Sequence, residues 1–158
     1  MTQATPIPGS EPRPGPGPGV DPTEEYPQAD FGPVEMTLSR RLPGVLKIVI
    51  RGRGGDQPAA LRRWRHNLAR AGELGLKRLL VVLDLGGPTI SERGLAAMVA
   101  TLASEFDLDG FRIAVVQTRH QRLPQDERGM LLAIEHGVAT RVFSDQDTAL
   151  VWLRHGAD

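Results

Sequence analysis

Hydrophobic and polar residues follow a two-residue period where the chain first becomes regular. Residues 34–39 alternate between apolar and polar side chains, which is the period of a half-buried strand. Pro43-Gly44 predicts a turn and residues 45–51 a second strand, so the domain is expected to open with a β-hairpin. Residues 79–83 are continuously apolar, which is typical of a strand covered on both faces.

Helical spacing of apolar residues predicts four helices in the remainder of the chain. The first begins near Pro58, the third covers 124–136, and the fourth begins at a capping box formed by Ser144 and Asp147. The second has the clearest apolar stripe, which consists of Leu95, Met98, Val99, Leu102 and Phe106.

Strands predicted at 111–117 and 140–143 complete the order β-β-α-β-α-β-α-β-α. Alternating strands and helices favour an α/β fold, because parallel strands need a crossover connection that a helix usually supplies. The sequence therefore predicts a mostly parallel sheet with an opening β-hairpin and helices packed on it.

The first 33 residues differ in composition from the rest. They contain nine of the thirteen prolines, and residues 1–35 carry one basic and six acidic side chains, against 18 basic and 13 acidic side chains afterwards. Such a segment cannot bury enough apolar surface to offset its ordering entropy. We predict a disordered, acidic Pro/Gly-rich tail over 1–33 and one α/β domain over 34–158. As an alternative, the acidic half of the tail folds against the basic face of the domain.

Composition narrows the classes of function. The chain has no cysteine, which excludes disulfides, thiolate metal sites and a cysteine nucleophile and is compatible with a reducing compartment. The longest apolar run is too short to span a bilayer, and the first residues lack the pattern of an export signal. A cytoplasmic protein without membrane insertion is expected.

The segment 84–94 is the most informative stretch for function. It leaves the predicted strand at 79–83 and enters the second helix, and ligands bind open α/β sheets at this edge. Free amides at a helix start favour anions. The same residues also form a capping box, with Thr89 as the N-cap and Glu92 reaching back to it. Both roles are compatible with a contact surface.

A second group of polar residues follows the next strand and is expected at the same edge. Arg119, His120 and Arg122, together with Arg93, would form an electropositive rim for a phosphate or an acidic partner. The alternative is a solvated basic loop without a ligand.

Signals for catalysis, metals and nucleic acid are absent from the sequence. The four histidines show no metal-ligand spacing, no serine lies in a G-x-S-x-G motif, and no glycine motif for a nucleotide cofactor is present. Residues 51–78 carry a net charge of 8 − 2 = +6 but include no groove-reading motif. We expect no enzyme activity, no cofactor, no metal and no nucleic-acid partner.

The domain resembles a STAS domain, the fold of anti-sigma-factor antagonists, in its SpoIIAA-like branch. The resemblance covers the chain from Val34 onward and depends on the element order and on four local matches. These matches lie at residues 42–48, at 82–85 with Gly94-Leu95, at 111–116, and at 137–145 with Ala149 and Trp152-Leu153.

This resemblance implies a non-enzymatic regulatory module that binds a partner protein, such as an anti-sigma kinase-like protein, through the loop and the start of the second helix. In the family a serine at that helix start is phosphorylated. Here Glu92 stands at the acceptor position, although a shifted gap places Ser91 there. The expected contact residues are Asp84, Thr89, Ser91, Glu92 and Arg93. An alternative function is that of a carrier for a small anionic or lipid-like ligand held between the strand edge and the helices.

Overall fold

Six strands in the described part of the chain form one sheet and are ordered in the sheet as they are along the chain. The computed structural model describes residues 23–26, 31–54 and 57–156. The first two pairings are antiparallel and the other three are parallel, which confirms the predicted α/β class with a mostly parallel sheet. The strands are β1 (Thr23–Tyr26), β2 (Val34–Ser39), β3 (Leu46–Arg53), β4 (Arg78–Gly86), β5 (Arg112–Gln117) and β6 (Ala139–Phe143).

Each parallel strand is followed by a helix, and the helices divide unequally between the two faces of the sheet. The described helices are α1 (Gln57–Leu74), α2 (Glu92–Glu105), α3 (Leu123–Glu135) and α4 (Gln146–His155). The first three cover one face, where the larger apolar cluster lies. On the other face Ala149 and Leu153 of α4 pack against Val45, Leu80 and Val116. No helix in the described ranges is long and apolar enough to cross a membrane.

The sheet includes four residues that the sequence analysis placed in the tail. Thr23–Tyr26 pair with β2, and the ring of Tyr26 lies 4.5 Å from that of His66 on α1. Glu24 accepts hydrogen bonds from Arg70 of α1, which lower the pKa of its carboxyl. The alternative in which the acidic half of the tail folds against the basic face is therefore observed at Glu24. The other residues of the predicted tail up to 30 lie outside the described part of the chain.

The last helix begins one residue later than the sequence predicts. Ser144 was expected to cap it, but the N-cap is Asp145. One carboxylate oxygen of Asp145 accepts from the amide of Thr148 at 2.8 Å and the other from the Thr148 hydroxyl at 3.0 Å. A carboxylate serves two donors at once, whereas the single oxygen of a serine would be shared between them. These bonds also lower the pKa of Asp145.

The parallel strands bring their carboxyl ends to one edge of the sheet. The segments that leave β3, β4, β5 and β6 lie at this edge, and α1 to α4 begin there. The two groups of polar residues selected from the sequence are separated by about a helix and a strand along the chain. The sheet topology places them on the same side of the domain.

Candidate functional site

The start of α2 is capped by Ser91. Its backbone is extended (φ −62°, ψ 156°), and its hydroxyl oxygen accepts from the amide of Gly94 at 3.0 Å. The prediction that Thr89 is the N-cap is wrong, because helical bonding begins only when the amide of Leu95 donates to the carbonyl of Ser91. Thr89 is exposed in the loop before the helix.

Glu92 does not reach back to Thr89 as the predicted capping box requires. Its carboxylate instead forms an ion pair with Arg128 of α3. Both side chains are at least half exposed, so the pair lies on the surface between the two helices. Arg93, the next residue, is exposed and makes no hydrogen bond or ion pair within the described ranges.

The loop before α2 is held from below by the segment that leads into α3. The guanidinium of Arg122 donates to the carbonyl of Gly87 at 2.6 Å and makes a longer contact of 3.4 Å with that of Pro88. The side-chain oxygen of Gln125 accepts from the amide of Ile90 at 2.7 Å. The amide of Gly54 also donates to the carbonyl of Gly86, which connects the loop to the end of β3.

Arg122 therefore has a different position from the one expected. The sequence analysis placed it on an exposed anion-binding rim, but only 6% of its surface is accessible. It lies in a short 3₁₀ helix, His120–Arg122, whose backbone turns the side chain under the loop. Periodicity cannot predict this burial, because it depends on how the chain turns between β5 and α3.

Asp84 and Arg119 are brought together as the strand order predicts. Nε of Arg119 donates to the carboxylate of Asp84 at 2.9 Å, and both side chains are about 40% exposed. A Cβ on Gly86 would lie 2.9 Å from the Arg119 guanidinium, so this glycine leaves room for the pair. His120, the residue after Arg119, is exposed.

Arg53 is a member of this edge that the sequence analysis did not select. It was expected in a loop, but β3 continues through it, and its guanidinium lies over Gly87. The exposed charges around the loop are those of Arg53, Arg93, Arg119 and Arg128 against Asp84 and Glu92, or 4 − 2 = +2. We call this exposed surface, from Asp84 to Gly94 with Arg53, Arg119 and Arg128, the basic edge.

A cavity of about 160 Å³ lies behind the basic edge, between the sheet and α1 to α3. Most of its walls are apolar, with Leu95 and Met98 from α2 and Ile113 from β5 among them. The polar residues in its lining are Arg63, Arg122, Gln125, Asp126, His136 and Thr140.

Asp126 is the acidic member of this lining. Burial raises the pKa of its carboxyl, although the side-chain amide of Gln117 donates to it at 2.6 Å and favours the charged form. Gln117 is itself buried and accepts from the amide of Arg119. The cavity wall and the basic edge are thus joined by one chain of hydrogen bonds.

Two other chemistries have no geometry to support them in the part of the chain that is described. No group of three or more histidine, aspartate or glutamate side chains there is arranged to hold a metal ion. Asp84 and Ser91, which with His120 could make a hydrolytic triad, are engaged elsewhere. Asp84 binds Arg119, and the Ser91 hydroxyl caps α2.

Comparisons of the chain with protein-family models, with curated proteins and with solved structures find no match.

Proposed function

We propose that this protein is a regulatory module that binds a partner protein through the basic edge, in the manner of the STAS domains that it resembles. The observation that carries the proposal is that the loop from Asp84 to Ser91 is exposed but fixed. Arg122, Gln125 and Gly54 bond its backbone from beneath. A preorganised surface binds with a smaller loss of conformational entropy than a mobile one, which favours recognition there.

The charge of the basic edge favours an acidic segment of the partner. The exposed charges sum to +2, and the start of α2 adds the partial positive charge of the helix dipole. Arg93 and Arg53 make no side-chain hydrogen bond or ion pair within the described ranges, whereas Arg119 and Arg128 are already paired with carboxylates. The proposal includes a SpoIIAA-like fold for the domain and an anti-sigma kinase-like protein as its partner.

Ser91 is compatible with a phosphorylation switch. It is exposed, and a phosphate at the N-terminus of a helix is favoured by the dipole and by free amides. Its hydroxyl is occupied in capping, so modification would replace the bond to Gly94 rather than add to a free surface. Phosphorylation at Ser91 and a cytoplasmic location stay predictions.

The docking proposal is tested by reversing one charge at the basic edge. Partners are retained from a lysate of the native host by the wild-type protein, identified by cross-linking mass spectrometry, and then purified for titration. Arg93→Glu is expected to weaken binding at least tenfold, because it places a carboxylate against an acidic partner. Glu92→Ala removes the pair with Arg128 and is expected to change affinity less.

Arg78→Glu is the matched control, because Arg78 is an exposed arginine at the opposite end of β4. It is expected to bind within twofold of the wild type. Equal affinities of the wild type and Arg93→Glu for the purified partner would exclude the basic edge as the docking surface.

The cavity favours a second candidate function, that of a carrier for a small apolar or anionic ligand. Its walls are mainly apolar with a few polar side chains, which is the usual lining of a small-molecule site. Native mass spectrometry of protein purified from its own host tests this function. A stoichiometric added mass is expected for a carrier, and the mass of the bare chain would count against it.

A further inference from the structure

The guanidinium of Arg122 has unused hydrogen-bonding capacity in the cavity wall. Arginine has five N–H donors, and the two contacts with the carbonyls of Gly87 and Pro88 use two of them, leaving 5 − 2 = 3. Although the side chain is 94% buried, no described carboxylate forms an ion pair with it. A buried cation without a counter-ion is costly unless an anion or further acceptors reach it.

The other charged residues of the cavity do not supply that anion. Burial raises the pKa of Asp126, whereas the hydrogen bond from Gln117 and the more distant charge of Arg122 lower it, and no ion pair joins Asp126 to Arg122. Arg63 donates to the backbone carbonyl of Phe31. Arg122 is thus a buried guanidinium of the lining whose described hydrogen bonds go to backbone carbonyls and which forms no ion pair in the described part of the chain, next to walls that are mainly apolar.

We propose that the cavity binds a small monocarboxylate, with its carboxylate on Arg122 and its apolar chain or ring against Leu95, Met98 and Ile113. The inference rests on the second proposed function, that of a carrier, and names its ligand class. A cavity of about 150 Å³ lined by aliphatic side chains accommodates benzene, so a body of roughly six carbons fits here. Arg63 and Arg122 against Asp126 give the lining a charge of 2 − 1 = +1, which favours a monoanion over a dianionic phosphate. The planar guanidinium of Arg122 matches a carboxylate in a bidentate geometry.

The test compares hexanoate with hexanol, which has the same chain without the charge. Binding is measured at neutral pH by calorimetry and by NMR shifts of methyl groups in the cavity wall. Hexanoate is expected to bind the full chain at least tenfold more tightly than hexanol. Arg122→Met is expected to remove this difference, while leaving hexanol binding within about threefold of the wild-type value.

Two further variants separate the cavity from the surface. Ala133→Leu places three additional carbons in the cavity wall and is expected to abolish binding of both molecules. Ala97→Leu adds the same atoms at an exposed position of α2 and is expected to bind as the wild type does. Retained hexanol binding shows that the cavity of Arg122→Met is intact, so loss of folding cannot imitate the result.

Two outcomes would overturn the inference in different ways. If hexanol binds as tightly as hexanoate, the assignment of Arg122 to a carboxylate is wrong but the carrier function stands. If neither molecule binds at millimolar concentration, the ligand class and the carrier function both fail. Neither outcome bears on docking at the basic edge, which Arg93→Glu tests separately.

Discussion

Gly52 in β3 supports the most specific stability prediction for this fold. Its φ is +135°, a conformation open almost only to glycine. It lies opposite Val34 of β2, and a Cβ at this position would contact the carbonyl oxygen of Pro33 and come within 2.8 Å of the Val34 Cα. The Pro33 carbonyl cannot easily turn away, because it accepts from the amide of Arg53 at 3.0 Å.

The magnitude follows from two separate costs of Gly52→Ala. A non-glycine residue in this backbone region costs about 1–3 kcal/mol, and the collision with backbone adds about 1–3 kcal/mol of overpacking. We expect a loss of about 4 kcal/mol in the free energy of unfolding, the sum of the two midpoints. That is a large fraction of the roughly 5–15 kcal/mol typical of a domain.

Gly44→Ala is the matched control for the backbone cost alone. Gly44 has a φ of +74° in the hairpin turn, and a Cβ there would meet nothing within 4 Å. We expect it to cost about 1 kcal/mol. Both variants are compared with the wild type by urea denaturation followed by circular dichroism. Losses within 0.5 kcal/mol of each other would refute the argument that the approach of β2 to β3 requires Gly52.

Two titrating groups give predictions of opposite sign. Burial raises the pKa of Asp126 above its value in the unfolded chain. The folded state therefore favours the neutral carboxyl, and the free energy of unfolding falls as pH rises from the unfolded pKa through the folded pKa. Asp126→Asn should therefore be more stable than the wild type at pH 7, with the advantage disappearing in acid. A stability difference that does not change with pH would contradict this cause. The hydrogen bonds from Arg70 lower the pKa of Glu24, whose contribution is present above the unfolded value of 4.5 and lost as pH falls through the folded pKa. Glu24→Gln should cost about 1 kcal/mol at neutral pH and little in strong acid. Urea denaturation at several pH values measures both effects. An equal loss of stability in Glu24→Gln at every pH would exclude the ion pair with Arg70 as the origin of that loss.

Most of the sheet and helices could be predicted because their patterns are local. The alternation in β2, the apolar run of β4 and the stripe on α2 each depend on neighbouring residues along the chain, and the structure contains all three elements. The carboxyl ends of the parallel strands share an edge, as expected, and there Asp84 and Arg119 form an ion pair that the sequence did not predict. Helix starts were less predictable: Thr89 and Ser144 were selected as caps, where Ser91 and Asp145 serve.

The sequence by itself determined the order of the elements, the class of the fold and the edge at which polar residues collect, since these follow from periodicity and from the geometry of parallel strands. Only the tertiary structure decided which polar residues leave the surface. Arg122 is buried beneath the loop, Glu24 of β1 is joined to Arg70 of α1, and a cavity lies between the sheet and the helices. These features depend on distances between residues far apart in the chain, and the spacing of residues along a sequence does not specify such distances.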